Sequence, residues 1–349
     1  MNNYSLKISG WAYAFLFIIL VAVFPLWFDA YRLNIVSKYL ALAFVAIGIV
    51  LTWGYGGILS LGQGVFFGIG GYLMAMFLKL EASAPDLPDF MVWSSVDVLP
   101  LWWRPYSSFT MTLLSIVLIP AVLAFGFAYA IFRKRVSGVY FAIVTLSLAL
   151  TLSVLIIGQQ GGTGGSNGIT DFSTLLGHDI LSDEAITTLY YIQLVLLFCV
   201  AALASLMIRT RLGKLLIAIR DREDRVRFSG YDTAMIKAFV FMVAAVFASI
   251  GGAFYTVQVG LIGPSVVGVM SSVEMVIYAA VGGRLSVPGA IVGALLVGFA
   301  RSYFSEYFPE TWLFFLGGLF IAVVMILPNG LADAFSRMFQ QLGKRRYAK

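Results

Sequence analysis

Side chains able to do covalent chemistry are scarce in this chain, and none is arranged for it. There is one histidine, His178, in a polar loop, and one cysteine, Cys199, inside an apolar run. A solitary cysteine excludes a disulfide framework and a cysteine metal site, and a solitary histidine leaves no second ligand or base. No Ser-His-Asp set and no His-Glu-x-x-His occurs. Gly213-Lys214 is followed by Leu215 and lacks the upstream glycine of a phosphate loop, so the chain does not hold ATP by that device. The carboxylate lying well inside an apolar run is Glu274, in SSVEMVIYAAVGG. An ionisable group at membrane depth is a functional candidate by default; the plainer reading is a side chain that bonds nearby backbone.

Ionic chemistry is concentrated instead in Arg209 to Asp232, RTRLGKLLIAIRDREDRVRFSGYD, which holds 11 of the 40 charged residues, seven basic and four acidic. Asp221 with Arg225, and Glu223 with Arg227, are acid-before-base pairs at the i, i+4 spacing that supports a helix. Gly230 supplies a C-terminal stop, and Asp232 can cap an apolar helix beginning near Ala234. Such an island must lie in water. It reads either as a helix on which a soluble partner pushes or as a solvated linker.

The elements on either side of the island are membrane spans. Of 349 residues 60% are hydrophobic and only 11% charged, about half the usual charged share of a soluble protein. A helix needs roughly 20 apolar residues to cross a bilayer. By that measure, spans fall near residues 10–29, 36–53, 64–79, 108–132, 138–157, 189–208, 235–257, 269–283, 287–303 and 311–328. The expected fold is an all-α polytopic membrane protein of about ten transmembrane or partly re-entrant helices, residues 1–349 forming a single transmembrane domain. The third, eighth and ninth spans are short, as half-helices or re-entrant segments are. The first span follows Lys7 and is followed by bulky Trp27, Phe28 and Tyr31, so it reads as a retained anchor rather than a cleaved signal.

Orientation follows from where Lys and Arg lie. With the N-terminus inside, 18 of the 23 basic residues become cytoplasmic, from Lys7 through Arg133, Lys134, Arg135, the island, Lys237 and Arg284 to the tail from Arg337 to Lys349. On the same alternation 11 of the 17 acids fall outside. Both termini and the island are then cytoplasmic. Arg32 and Lys38 disagree with this pattern. A net charge of +6 distributed in this way is explained by membrane orientation and gives no reason to invoke nucleic acid.

Glycine marks the span boundaries. GYGGILSLGQGVFFGIGGY, from Gly54 to Tyr72, carries Gly64 and Gly68 at the spacing that lets helix backbones approach, and Gly289 and Gly293 repeat it near residue 290. GGILS and GGRLS share Gly-Gly-x-Leu-Ser, the mark of an internal repeat or of chance in glycine-rich helices. A third cluster, GQQGGTGGSNGITDF from Gly158 to Phe172, is an outside loop that reads as a receiver of ligand from an external partner, as a segment folded back into the mouth of a path, or as a flexible turn.

In order along the chain, GGILSLGQGVFFGIGGYLMAMFL (56–78), SGVYFAIVTL (137–146), GGTGGSNGI (161–169), AIRDREDRVRFSGYD (218–232) and SSVEMVIYAAVGGRLSVPGAIVGA (271–294) resemble the branched-chain amino acid type permeases of ABC importers. LPDFMVW (87–93), LPLWWRPY (99–106) and RSYFSEYFPETWLFFLGGLFI (301–321) resemble most the urea branch of that family. The resemblance implies a bacterial inner-membrane transport subunit, not an enzyme, that carries urea or, alternatively, branched-chain amino acids or short amides. A stand-alone channel is the rival from another class. The resemblance implies as partners a second related permease, two cytoplasmic ATPase subunits and a periplasmic solute-binding protein, with membrane lipid around them. No cofactor is expected in this chain, ATP and Mg being bound by the ATPase subunits.

In that family the cytoplasmic loop docks into the ATPase, here a coupling helix at about 213–232. Lys214, Arg220, Asp221, Glu223, Arg227 and Gly230 are its candidates. The Glu-Ala-Ala of many importer permeases is replaced by Arg225-Val226-Arg227 ahead of Gly230, so individual contacts rest on position and helical pattern. Ser60, Gln63 and Glu274 are the polar candidates for the path, and Gly57, Gly64, Gly68, Gly283, Gly289 and Gly293 those for hinges and close packing.

Overall fold

The computed structural model describes residues 13–326 and 330–334. Lys7 and the tail from Arg337 to Lys349, and with them the placement of both termini, lie outside the described residues. The long helices are α1 (Tyr13–Trp27), α2 (Ala30–Tyr55), α3 (Gln63–Ser83), α4 (Phe109–Arg133), α5 (Val139–Gly158), α6 (Asp183–Arg209), α7 (Arg211–Phe228), α8 (Thr233–Val259), α9 (Val269–Gly282), α10 (Val287–Tyr307) and α11 (Trp312–Ile326). Among the described residues seven of these are long and apolar enough to cross a membrane: α2 to α6, α8 and α10. The chain is thus an all-α, multi-pass membrane protein.

Helix α8 is the hub, packed against α2, α3 and α4. It starts on a cap, since Asp232 Oδ1 accepts from the backbone N–H of Ala234 and Met235 at 3.0 Å each. Its neighbours come close because small residues face them. A methyl at Gly252 would lie 1.8 Å from the Phe67 carbonyl oxygen, so α3 and α8 touch backbone to backbone. Around the hub, α2 is 89% buried across its most apolar window, whereas α4, α5 and α6 are 28%, 28% and 33% buried. Apolar side chains at the outside of the bundle cost nothing in a lipid solvent, which is why α4 to α6 can leave so much apolar surface uncovered.

Two of the three spans read as short are longer in the structure. Helix α3 runs on to Ser83 and α10 to Tyr307. Counting apolar residues stopped at Lys79 and near Arg301, but both cations are paired. Lys79 Nζ lies 3.0 Å from Asp89, and Arg301 Nη1 lies 2.8 Å from Glu274. Helix α9 does stay short, with 14 residues spanning about 21 Å, less than the roughly 30 Å hydrocarbon core.

The helix ends sort into two clusters. At one end meet Gly54, Arg220, Leu285 and the α4–α5 turn; at the other, Glu81 accepts from the N–H of Leu176 and Gly177, and Trp103 donates to Gly162 O. The first end carries Arg133, Lys134, Arg135, α7 and Arg284, and is called the basic end; the second carries most acids. At the acidic end the Gly158–Phe172 segment is folded back, because Ile169 and Ile262 exchange backbone hydrogen bonds of 2.9 and 3.1 Å.

Candidate functional site

The charged island folds as the helix α7, but as two pieces. Arg222 has φ −153° and ψ 78°, which breaks the helix in its middle. The break separates Asp221 from Arg225, so the expected pair does not form; Asp221 accepts instead from Arg220 Nε at 3.1 Å. Glu223 and Arg227 lie on one side of the break and do pair, at 3.1 Å. The helix stops at Phe228, and Gly230 turns the chain with φ +87°.

Each piece grips the membrane helices differently. In the first, Arg220 Nη1 donates to Gly54 O at 2.7 Å. Its side chain lies so close to Gly57, which has φ +67°, that a methyl there would come within 2.7 Å of Arg220 Cγ. In the second, Glu223 Oε1 accepts from Lys237 Nζ at 2.8 Å, Thr233 Oγ1 at 3.0 Å and Arg227 Nη2. The Lys237 ammonium is buried and stands 4.5 Å from the Phe132 ring centroid. Burial alone would raise the Glu223 pKa. The Lys237 hydrogen bond and charge, with help from Thr233 and Arg227, outweigh it and hold the carboxyl below its usual range. Between the pieces and the helix ends is a cavity of about 240 Å³, bordered by Gly56, Gly57, Phe132, Arg220, Glu223 and Lys237. Lys214 is exposed on the outer face of α7, and Phe228 at its end is 92% exposed.

From Gly57 the chain leads straight to the candidate path. Residues 57–62 are not helical, and α3 begins only at Gln63. Leu61 N–H donates to Thr145 Oγ1 at 3.1 Å. Thr145 is six residues into α5, so α3 starts about 9 Å inside the basic end. Helix α9 also starts inside. Ser153 of α5 donates to Pro264 O at 3.2 Å, and Ser272, in the first turn of α9, accepts from Gly64 N–H at 3.2 Å. Two helix N-termini therefore meet within the membrane, the arrangement that presents positive dipole ends to a solute.

Gln63 is 1% exposed there, and among the described residues neither its amide oxygen nor its amide nitrogen has a hydrogen-bond partner. Ser60 is buried beside it, its Oγ accepting from Gly62 N–H at 3.3 Å. Gly64 and Gly68 lie against Val266, Val267 and Ser272, while Gly289 and Gly293 lie against α9 at Gly282 and Tyr278 O. Gly283 forms the α9–α10 turn. The residues just ahead of the first Gly-Gly-x-Leu-Ser segment meet the second at the basic end, where Tyr55 Oη donates to Leu285 O at 2.9 Å and Gly54 touches Arg284 O.

Glu274 is apart from Gln63 and Ser60. It is 3% exposed, and its carboxylate accepts from Tyr278 Oη at 2.7 Å and from Arg301 Nη1 at 2.9 and 2.8 Å. Sequence reasoning missed Arg301. Its signal in the sequence is a second charge inside the neighbouring apolar span, near that span's end. Arg301 also lies over Trp312, 5.2 Å from its ring centroid. Phe228, inside the island, and Lys237, five residues beyond it, are two more positions that the charge pattern does not single out.

Residues 31–324 match the family described as branched-chain amino acid transport system / permease component. Among similar proteins, the high-affinity branched-chain amino acid transport system permease protein LivM of Escherichia coli K12 is 24% identical over 336 residues, covering 90% of this chain and 73% of LivM. LivH of the same organism, named for the same transport system, is 22% identical, covering 83% of this chain and 90% of LivH. The autoinducer 2 import system permease protein LsrC of Yersinia enterocolitica is 28% identical over 178 residues, 48% of each chain. No solved structure is significantly similar. With helices that cross a membrane, no ATP-binding loop in its sequence and this match over most of its length, the chain is a transport permease subunit of the branched-chain amino acid transport system permease family.

Proposed function

We propose that this chain is one membrane half of an ATP-driven importer of the ABC type, whose basic end faces the cytoplasm. In this reading a second related permease completes the pore, two ATPase subunits bind ATP and Mg beneath the basic end, and a solute-binding protein delivers cargo at the acidic end. The observation that carries the reading is the seat of α7. Arg220 is fastened to Gly54 O and against Gly57, at the start of the non-helical stretch that leads to Gln63 at the mouth of α3. A push on α7 would thus reach the path along seven residues of backbone, while Glu223 and Lys237 pass it to the hub α8. Lys214, Asp221 and the exposed Phe228 provide the face for the ATPase.

The cargo in this reading is a small apolar α-amino acid. Its support is that LivM and LivH, similar over most of this chain, are named for branched-chain amino acids. The urea expectation rested on outer loops and the C-terminal segment, and finds no support among the relatives. LsrC, named for autoinducer 2, is a reminder that cargo varies between similar permeases.

The test is uptake by the complete transporter in proteoliposomes, with leucine and urea in competition and with or without ATP. ATP-dependent leucine uptake, lowered about tenfold or more by Arg220→Glu with Arg227→Glu while the subunits still assemble, is the expected result. Unchanged uptake in that double variant returns α7 to a solvated linker. Urea transport without leucine transport replaces the cargo, and full-rate passage through the chain alone replaces the pump with a channel.

A further inference from the structure

Lys38 was the anomaly of the charge pattern, a cation on the wrong side of the membrane, and the structure places it where a loop residue cannot be. It lies eight residues inside α2, about 12 Å along the helix, and is half-buried. Its neighbour Tyr39 is hydrogen-bonded to Ser302, the neighbour of Arg301, which brings the two cations to the same depth on adjacent helices. The Lys38 ammonium lies 6.0 Å from the Tyr255 ring centroid, and among the described residues no carboxylate is within salt-bridge distance of it. Glu274 is already engaged by Arg301. The intramembrane group Lys38, Arg301 and Glu274 therefore carries one positive charge more than negative.

An ammonium without a counterion is costly in hydrocarbon, and such residues are kept where a ligand or a pathway uses them. Arg301, 38% exposed at its side chain, also borders a cavity of about 380 Å³ whose other walls are apolar, among them Phe304, Trp312, Phe315 and Leu319. Arg301 stands beside this apolar space and Lys38 lies at the same depth on the adjacent helix, a pair that suits a solute joining a carboxylate to an aliphatic body. The pair offers nothing to urea, which has no charge to satisfy Lys38.

We propose that Lys38 and Arg301 form a subsite in the acidic-end half of the membrane that takes the carboxylate of an apolar α-amino acid on its way to the α3 mouth, with Glu274 holding the Arg301 guanidinium in place. This rests on the amino-acid reading above. An anionic lipid headgroup offers the same kind of charge, and the test separates the two.

In the complete transporter, with Lys38 and Arg301 in place and Cys199→Ser with Ala322→Cys on the wall of the cavity that Arg301 borders, the rate at which a negatively charged thiol reagent labels position 322 is measured in phosphatidylcholine vesicles. Leucine is expected to slow labelling about fivefold or more, and isoamylamine, which lacks the carboxylate, to leave it unchanged. Equal effects of the two, or slowing by added phosphatidylglycerol without leucine, overturns the subsite. A second measurement keeps the proposal testable if the cysteine variant does not assemble. Leucine uptake should fall about tenfold in Lys38→Met and recover to within about threefold of wild type in Lys38→Arg. Wild-type leucine uptake with no loss in Lys38→Met removes the subsite and leaves the importer reading standing. No amino-acid uptake by wild type removes both.

Discussion

Two carboxylates, Glu223 and Glu274, each tie helices together, and they differ in how far they are withdrawn from water. Glu223, at the basic end, is 25% exposed at its side chain and accepts from three donors on two helices. Glu274, among α9 and α10, is 4% exposed and depends on Arg301 and Tyr278. Water is within reach of the first carboxylate and largely excluded from the second. The same chemistry therefore gives a clamp that can loosen and re-form at the basic end, and a fixed brace inside the bundle.

Removing one partner from each cluster sharpens the contrast. Arg301→Met strands Glu274 without water and is expected to cost about 3 kcal/mol or more of stability, read as thermal unfolding in detergent. Adding Glu274→Leu should restore most of that loss; a double variant as unstable as the single would mean that Arg301 acts by packing on Trp312. Lys237→Met leaves Glu223 with Arg227, Thr233 and partial hydration, so the loss should be about 1 kcal/mol, with faster hydrogen exchange confined to α7 and the start of α8. An equal loss at both sites would erase the distinction between clamp and brace.

Acid tests the clamp alone. Because the folded Glu223 pKa is depressed, its contribution to stability is fully present above the unfolded carboxylate value of about 4.3 and is lost as pH falls through the lower folded value. Protection of α7 in hydrogen exchange should therefore persist at pH about 5 and fall only below about 4. Loss already near neutral pH would show that the pair with Lys237 does not hold. The smallest stability effect is expected at Phe228, which is 92% exposed. Phe228→Ala should change unfolding by less than about 0.5 kcal/mol. In the complete transporter the same change should lower ATP-driven uptake several-fold, roughly the weight of an aromatic anchor at an interface.

Much of this architecture is legible in the residues. Ten apolar runs correspond to ten helices because lipid demands apolar length, and Asp232 and Gly230 bracket the turn into α8 through cap and left-handed geometry that depends on local sequence. What was not legible depends on contacts between distant segments. The kink at Arg222 sits in a sequence whose i, i+4 pairs argue for a continuous helix, and it becomes understandable only when the first piece is seen tied to Gly54 and the second to Lys237. The continuation of α10 through Arg301 is likewise made possible by Glu274, 27 residues earlier. Of the path candidates, Ser60 and Gln63 fall together at the start of α3, while Glu274 lies on α9 and pairs with Arg301 of α10. No periodicity in one helix could have revealed a charge cluster shared among α2, α9 and α10.

The account stands on α7 facing the ATPase side of the membrane, and one labelling measurement addresses that directly. With Cys199→Ser and Phe228→Cys, a membrane-impermeant maleimide is applied to right-side-out and inside-out vesicles. The account predicts labelling of position 228 in inside-out vesicles alone, and shielding there when the ATPase subunits are bound. Labelling in sealed right-side-out vesicles would put α7 on the outer face and contradict the account.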